Sequence, residues 1–169
     1  MKERRTAHDT FVIKRTFAFD REVVFASFAS PEAKSQWFAG PAGWQMLVRN
    51  MDFRAGGQLL YSLRMPDGQE MWGKFVYREI LPPDRLVFVT SFSDQEGAVT
   101  RAPFNPKWPL EILNILTLSE HFSQTRLVLM GEPVNPTAEE LELFESMLDS
   151  LHEGFSGTFD QLAAYLKTL

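Results

Sequence analysis

The sequence predicts an α+β fold in which a curved antiparallel sheet wraps around one long C-terminal helix. Three observations lead there. About six strand-length segments follow one another with short turn signals between them. Two short helical segments stand directly after the first strand, and the last 30 or so residues carry a continuous helical apolar stripe. Strands segregated from a terminal helix mean α+β rather than alternating α/β.

The first strand is read from residues 11–19, where Phe11, Ile13, Phe17 and Phe19 share one parity. Asp20 stands at an N-cap position before a short helix whose Val24, Phe25 and Phe28 make an apolar stripe. Ser30-Pro31-Glu32 starts a second helix, with Ser as cap and Pro at the first helical position. It is expected to carry Trp37 and Phe38 and to end by Gly40. Strands are then expected over residues 45–54, 58–65, 70–80 and 85–92. They are separated by Ala55-Gly56-Gly57, Pro66-Asp67-Gly68 and Pro82-Pro83-Asp84, and such short connections favour an antiparallel meander. Residues 93–109, with Pro103, Pro106 and Pro109, read as an ordered loop over one mouth of the sheet. Strands resume over 111–122 and 125–131.

The terminal helix is expected from Thr137 to about Leu166. Thr137-x-x-Glu140 has the form of a capping box. Leu141, Phe144, Leu148, Leu151, Phe155, Phe159, Leu162 and Leu166 recur every three or four residues and give one unbroken apolar face. Gly154 and Gly157 interrupt its middle, which predicts a bend or close approach to another backbone. A sheet curling around such a helix is the helix-grip arrangement, and it can enclose an apolar pocket.

Composition limits the functions available. The 169 residues are 44% hydrophobic and 23% charged, as in ordinary globular domains, with a formal net charge of -5. That charge disfavours nucleic acid as a partner. Lys2, Arg4 and Arg5 read as part of a frayed N-terminus, residues 1–9, ahead of a single domain over 10–169. There is no cysteine, so disulfides and thiolate chemistry are excluded. The opening residues lack the apolar stretch of a signal peptide, and no run is long enough to span a membrane. A cytoplasmic protein is expected. Fifteen Phe and four Trp are a high aromatic load, suited to a thick core or to a cavity that rigid rings fill incompletely.

Several segments together resemble one family. They are Ser30-Pro31-Glu32 with Trp37-Phe38, the run from Asp52 to Gly57, Pro66-Asp67-Gly68, and Trp72-Gly73-Lys74. Arg78 to Phe88, Lys107-Trp108-Pro109-Leu110-Glu111, and Glu153-Gly154-Phe155 with Leu162 and Tyr165-Leu166 complete the set. Over residues 10–168 the chain resembles the AHSA1 family, domains similar to the C-terminal part of the activator of Hsp90 ATPase, within the SRPBCC (Bet v 1/START-like) superfamily. The family usually has Gly-Trp where this chain has Gly154-Phe155. The resemblance implies a helix-grip fold with an interior cavity, but not a fixed reaction. It implies three readings: a carrier of a small apolar or aromatic ligand, an Hsp90-type co-chaperone with a stress-response role, or a polyketide cyclase/aromatase or hydrolase.

No motif carries chemistry by itself. Asp52-x-Arg54-x-Gly56-Gly57 lacks a phosphate-binding pattern and reads as a turn whose charged pair secures strand ends. Gly154-Phe155-Ser156-Gly157 places its serine inside a helix, not at a nucleophile elbow. His8, His121 and His152 are isolated, so no metal site is expected, nor any cofactor or assigned catalytic residue. The cavity candidates are Trp37, Phe75, Tyr77, Phe104, Trp108, His121, Phe155 and Phe159. Phe75 and Tyr77 share a strand face, whereas Trp72 has the opposite parity. Arg64 and Arg101 are further candidates for an anionic head group. The leading expectation is a non-catalytic binding protein for a small hydrophobic ligand. Exposed sheet edges allow a homodimer.

Overall fold

A computed structural model describes residues 10–169; the expected frayed segment 1–9 lies outside them. Strand β1 (Phe11–Phe17) leads into helices α1 (Arg21–Ala26) and α2 (Pro31–Lys34). Strands β2 (Gln45–Met51), β3 (Gln58–Arg64), β4 (Glu70–Leu81) and β5 (Arg85–Ser93) follow, then β6 (Val99–Thr100), β7 (Ile112–His121) and β8 (Gln124–Pro133). Helices α3 (Ala138–Ser146) and α4 (Leu148–Leu166) close the chain. The order across the antiparallel sheet is β1-β8-β7-β5-β4-β3-β2, with β6 paired to β5. The chain is therefore α+β, with an eight-stranded sheet and a long terminal helix in the helix-grip arrangement. Among the described residues, no helix is long and apolar enough to cross a membrane.

Local chemistry explains most boundaries. Ser30 accepts a hydrogen bond from the Ala33 amide at 3.1 Å, and Pro31 opens α2. Asp20 precedes α1 as expected, but its side chain makes no capping hydrogen bond. Helix α2 ends at Lys34, so Trp37 and Phe38 follow it in a turn rather than lying within it. The capping box of α3 is complete: the Glu140 amide donates to Thr137 Oγ1 and the Thr137 amide to Glu140 Oε1, both at 3.1 Å. Arg54 Nε donates to Asp52 Oδ2 at 2.8 Å. Gly56 sits at φ +88°, and a Cβ on Gly57 would lie 2.1 Å from the Asp52 carbonyl oxygen, so this turn admits only glycine there.

Two expectations about the terminal helix change. The helix is divided at Met147, whose φ of -107° and ψ of 12° leave the helical region. The Met147 amide turns to the Phe144 carbonyl three residues back, and a new ladder starts with Leu151 donating to Met147. The two segments serve different partners. Phe144 on α3 packs against Trp108, 5.6 Å between ring centroids, whereas Phe155 and Phe159 on α4 pack against Phe11 and Phe17 of β1. Among the described residues, Gly154 and Gly157 meet no other backbone: both are exposed, and a Cβ on either would have nothing within 4 Å. Gly154→Ala and Gly157→Ala are therefore each expected to stabilise the protein by about 1 kcal/mol, read as a higher urea midpoint with unchanged slope. Destabilisation by either would show that the helix needs glycine there.

Residues 93–109 are more than a loop. Asp94 Oδ1 accepts from the amides of Glu96 and Ala98, both at 2.9 Å, and turns the chain so that Val99–Thr100 adds the short strand β6. The proline-rich remainder crosses to α3. There Arg101 Nη1 donates to Glu140 Oε2 at 2.7 Å, and Lys107 Nζ to Glu139 Oε2 at 3.1 Å.

Candidate functional site

Between the sheet and α4 lies a cavity of about 200 Å³. Phe75 and Phe88 enter it from neighbouring strands and stack at 4.8 Å with their planes 3° apart. Trp37 and Phe38 come from the turn after α2, Trp108 and Pro109 from the proline-rich segment, and Phe155 and Phe159 from α4. Rings from two strands, a turn, the proline-rich segment and a helix thus converge. Flat rigid rings meeting largely edge to face leave space between them, which accounts for a cavity in so aromatic a core.

Five of the eight residues anticipated for a cavity line this one: Trp37, Phe75, Trp108, Phe155 and Phe159. Three do not. Tyr77 is buried on the same strand face as Phe75, yet its ring packs against Phe53 and Phe88, one layer away from the space. Phe104 is 56% exposed and covers Phe92 and Trp108 from outside. His121 is exposed at the β7–β8 turn, with its ring 4.4 Å from that of Phe122. The hairpin ends there, beyond the reach of the core. His152 is also exposed, and His8 lies outside the described residues. Arg64 pairs with Glu70 and Arg101 with Glu140, so both arginines are committed to carboxylates of the chain. Glu140 is buried, and the Arg101 hydrogen bond, foremost, holds its carboxyl below the usual range.

Sequence reasoning missed Lys34. This lysine is only 3% exposed and lines the cavity. Its Nζ lies 4.4 Å from the Phe38 ring centroid, 4.5 Å from Phe75, 5.1 Å from Trp37 and 5.2 Å from Phe28. Ring faces attract an ammonium, but they replace only part of the hydration it has lost. Desolvation accordingly pushes the amine down from 10.5 to about 7. A signal was present: Lys34 precedes Trp37 and Phe38 by three and four residues, the spacing that places side chains on one helical face.

The other polar side chains at the cavity are uncharged. Asn114 Nδ2 donates to Thr90 Oγ1 and to the Ile112 carbonyl, both at 3.1 Å. Tyr61 is pushed upward by burial and so keeps its proton. Among the described residues no histidine or carboxylate lines the space. A surface groove between α4 and the Gly40–Pro41 turn abuts the cavity, and Phe38, Phe155 and Thr158 line both. Gly154 and Gly157 form part of the groove wall.

The helix-grip arrangement of sheet and terminal helix gives the class of protein, and sequence comparison gives the family. Residues 18–167 match the family described as Activator of Hsp90 ATPase homolog 1-like protein, and the chain belongs to it. No curated protein matches. Among solved structures, a protein from Arthrobacter aurescens is similar with a TM-score of 0.77 at 24% identity, over 95% of this chain and 87% of that one. A Mycobacterium smegmatis protein gives 0.73 at 27% identity, over 93% and 92%. The AHSA1 protein of Silicibacter pomeroyi gives 0.70 at 19% identity, over 95% and 99%. These likenesses establish the fold.

Proposed function

We propose that this protein binds a small, largely apolar ligand in the cavity between the sheet and α4. The observation that carries the reading is an aromatic-lined space of about 200 Å³ inside an otherwise packed core. Well-packed interiors hold few voids larger than a water molecule, and empty apolar space forfeits contact energy. A ligand that fills this space recovers those contacts. The groove beside Gly154 and Gly157 is the entry route in this reading, with Phe38 and Phe155 as the side chains that must turn aside. A native mass spectrum of gently purified protein is expected to show a bound small molecule. Emptied protein is expected to gain thermal stability from members of a lipid and aromatic library. A collapsed interior, with no stabilisation across that library, would refute the proposal.

The family description supports a second reading, contact with an Hsp90-type chaperone. Titrating the protein into Hsp90 while following ATP hydrolysis tests it; an unchanged rate removes it.

A further inference from the structure

We propose that the cavity's ligand is a single-ring aromatic carboxylic acid whose carboxylate pairs with Lys34 while its ring fills the space among Phe38, Phe75 and Phe155. The inference rests on the reading of the cavity as an apolar binding site and adds the chemical class of the ligand.

Charge gives the first reason. Among the described residues, Lys34 is the only side chain lining the cavity that can carry a formal charge at neutral pH, and it is cationic when protonated. Among the described residues its Nζ has no hydrogen bond or ion pair, whereas Arg64, Arg101 and Lys107 are all paired with carboxylates. A buried ammonium is strongly disfavoured unless a counter-charge reaches it. The four rings around Lys34 supply none, and among the described residues no Asp or Glu lines the cavity. A ligand carboxylate would complete the pair, with the ammonium donating to its oxygens. Phosphate would bring more charge than a single lysine balances.

Size gives the second reason. An apolar cavity of about 150 Å³ takes benzene, so about 200 Å³ holds one ring and a short acidic arm. The surrounding rings can meet the ligand ring edge to face, as they already meet one another. The groups facing Lys34 add no competing charge. Phe28, Trp37, Phe38 and Phe75 do not titrate, and burial keeps Tyr61, across the cavity on β3, neutral. At pH 8, therefore, a carboxylate should draw a proton onto Lys34 as it binds.

The test is calorimetry on the full chain at pH 8, in two buffers of different ionisation heat. The probes are phenylacetate and its uncharged isostere phenylacetamide, each with wild type and Lys34→Met. Phenylacetate is expected to bind wild type the more tightly, with uptake of about one proton. Lys34→Met is expected to weaken phenylacetate about 10- to 100-fold and to leave phenylacetamide within about threefold. Equal binding of the two probes to wild type, no proton uptake, or an unchanged phenylacetate affinity in Lys34→Met would overturn the carboxylate pairing while sparing the apolar cavity. Failure of both probes and of toluene to bind would overturn both.

Discussion

Lys34→Met is expected to stabilise the protein at pH 6 by several kcal/mol and to remove a rise in stability with pH. The buried amine is held at about 7 against an ordinary 10.5, a depression worth about 5 kcal/mol at about 1.4 kcal/mol per pH unit. Above pH 10.5 the amine is neutral in both folded and unfolded chains and imposes no penalty. Between 10.5 and 7 the unfolded chain holds a proton that the folded chain lacks, so stability falls as pH falls. Below 7 both states are protonated and the penalty is constant. Wild type should therefore gain stability from pH 7 to pH 10 relative to the variant. The methionine keeps most of the apolar stem against Phe38 and Phe75 without the amine. Urea unfolding of both proteins at pH 6, 7.5 and 9 isolates the effect as a difference, since other titrating groups are common to both. Curves that run parallel across that range would show that Lys34 is not buried in the folded protein.

Trp37→Ala is expected to lose about 3–5 kcal/mol, the usual range for removing a large aromatic from a packed site. Trp37 is 1% exposed, with its ring 4.9 Å from Phe28 and 5.8 Å from Phe38. Its indole Nε1 donates to the Ser27 carbonyl at 3.0 Å and so ties the turn after α2 to the end of α1. Trp37→Phe separates the two contributions. It retains a ring but leaves the Ser27 carbonyl without its donor, and should lose about 1–3 kcal/mol. Both are read from chemical denaturation. An alanine variant as stable as wild type would mean that Trp37 does not anchor the cavity wall.

The parts of this fold that were legible in the sequence are those with a short-range cause. Ser30-Pro31, Thr137-x-x-Glu140 and the glycine turns set element ends through contacts within a few residues, and the structure has them at those positions. The period of two in β1 and β4 correctly placed Phe11, Ile13, Phe75 and Tyr77 on the buried face. What periodicity could not supply was depth. Phe75 and Tyr77 share a face, yet only Phe75 reaches the cavity, because Phe53 lies against Tyr77 at 5.0 Å. The break at Met147 had no glycine or proline to announce it. It comes from the separate partners of Phe144 and Phe155, more than a hundred residues away for the latter. Lys34 was hidden for another reason. A lysine in a capped helix ordinarily reads as solvated, and only its spacing from Trp37 and Phe38 pointed inward.

Both ligand-binding proposals depend on the apolar space itself. A crystal exposed to xenon gas examines that space most directly, because xenon occupies dry apolar cavities and needs no guess about the ligand. We expect one strong xenon site bordered by Phe38, Phe75, Trp108 and Phe155, with little movement of those rings. An unbound interior in which the same rings have closed on one another, with no xenon between sheet and helix, would contradict the account.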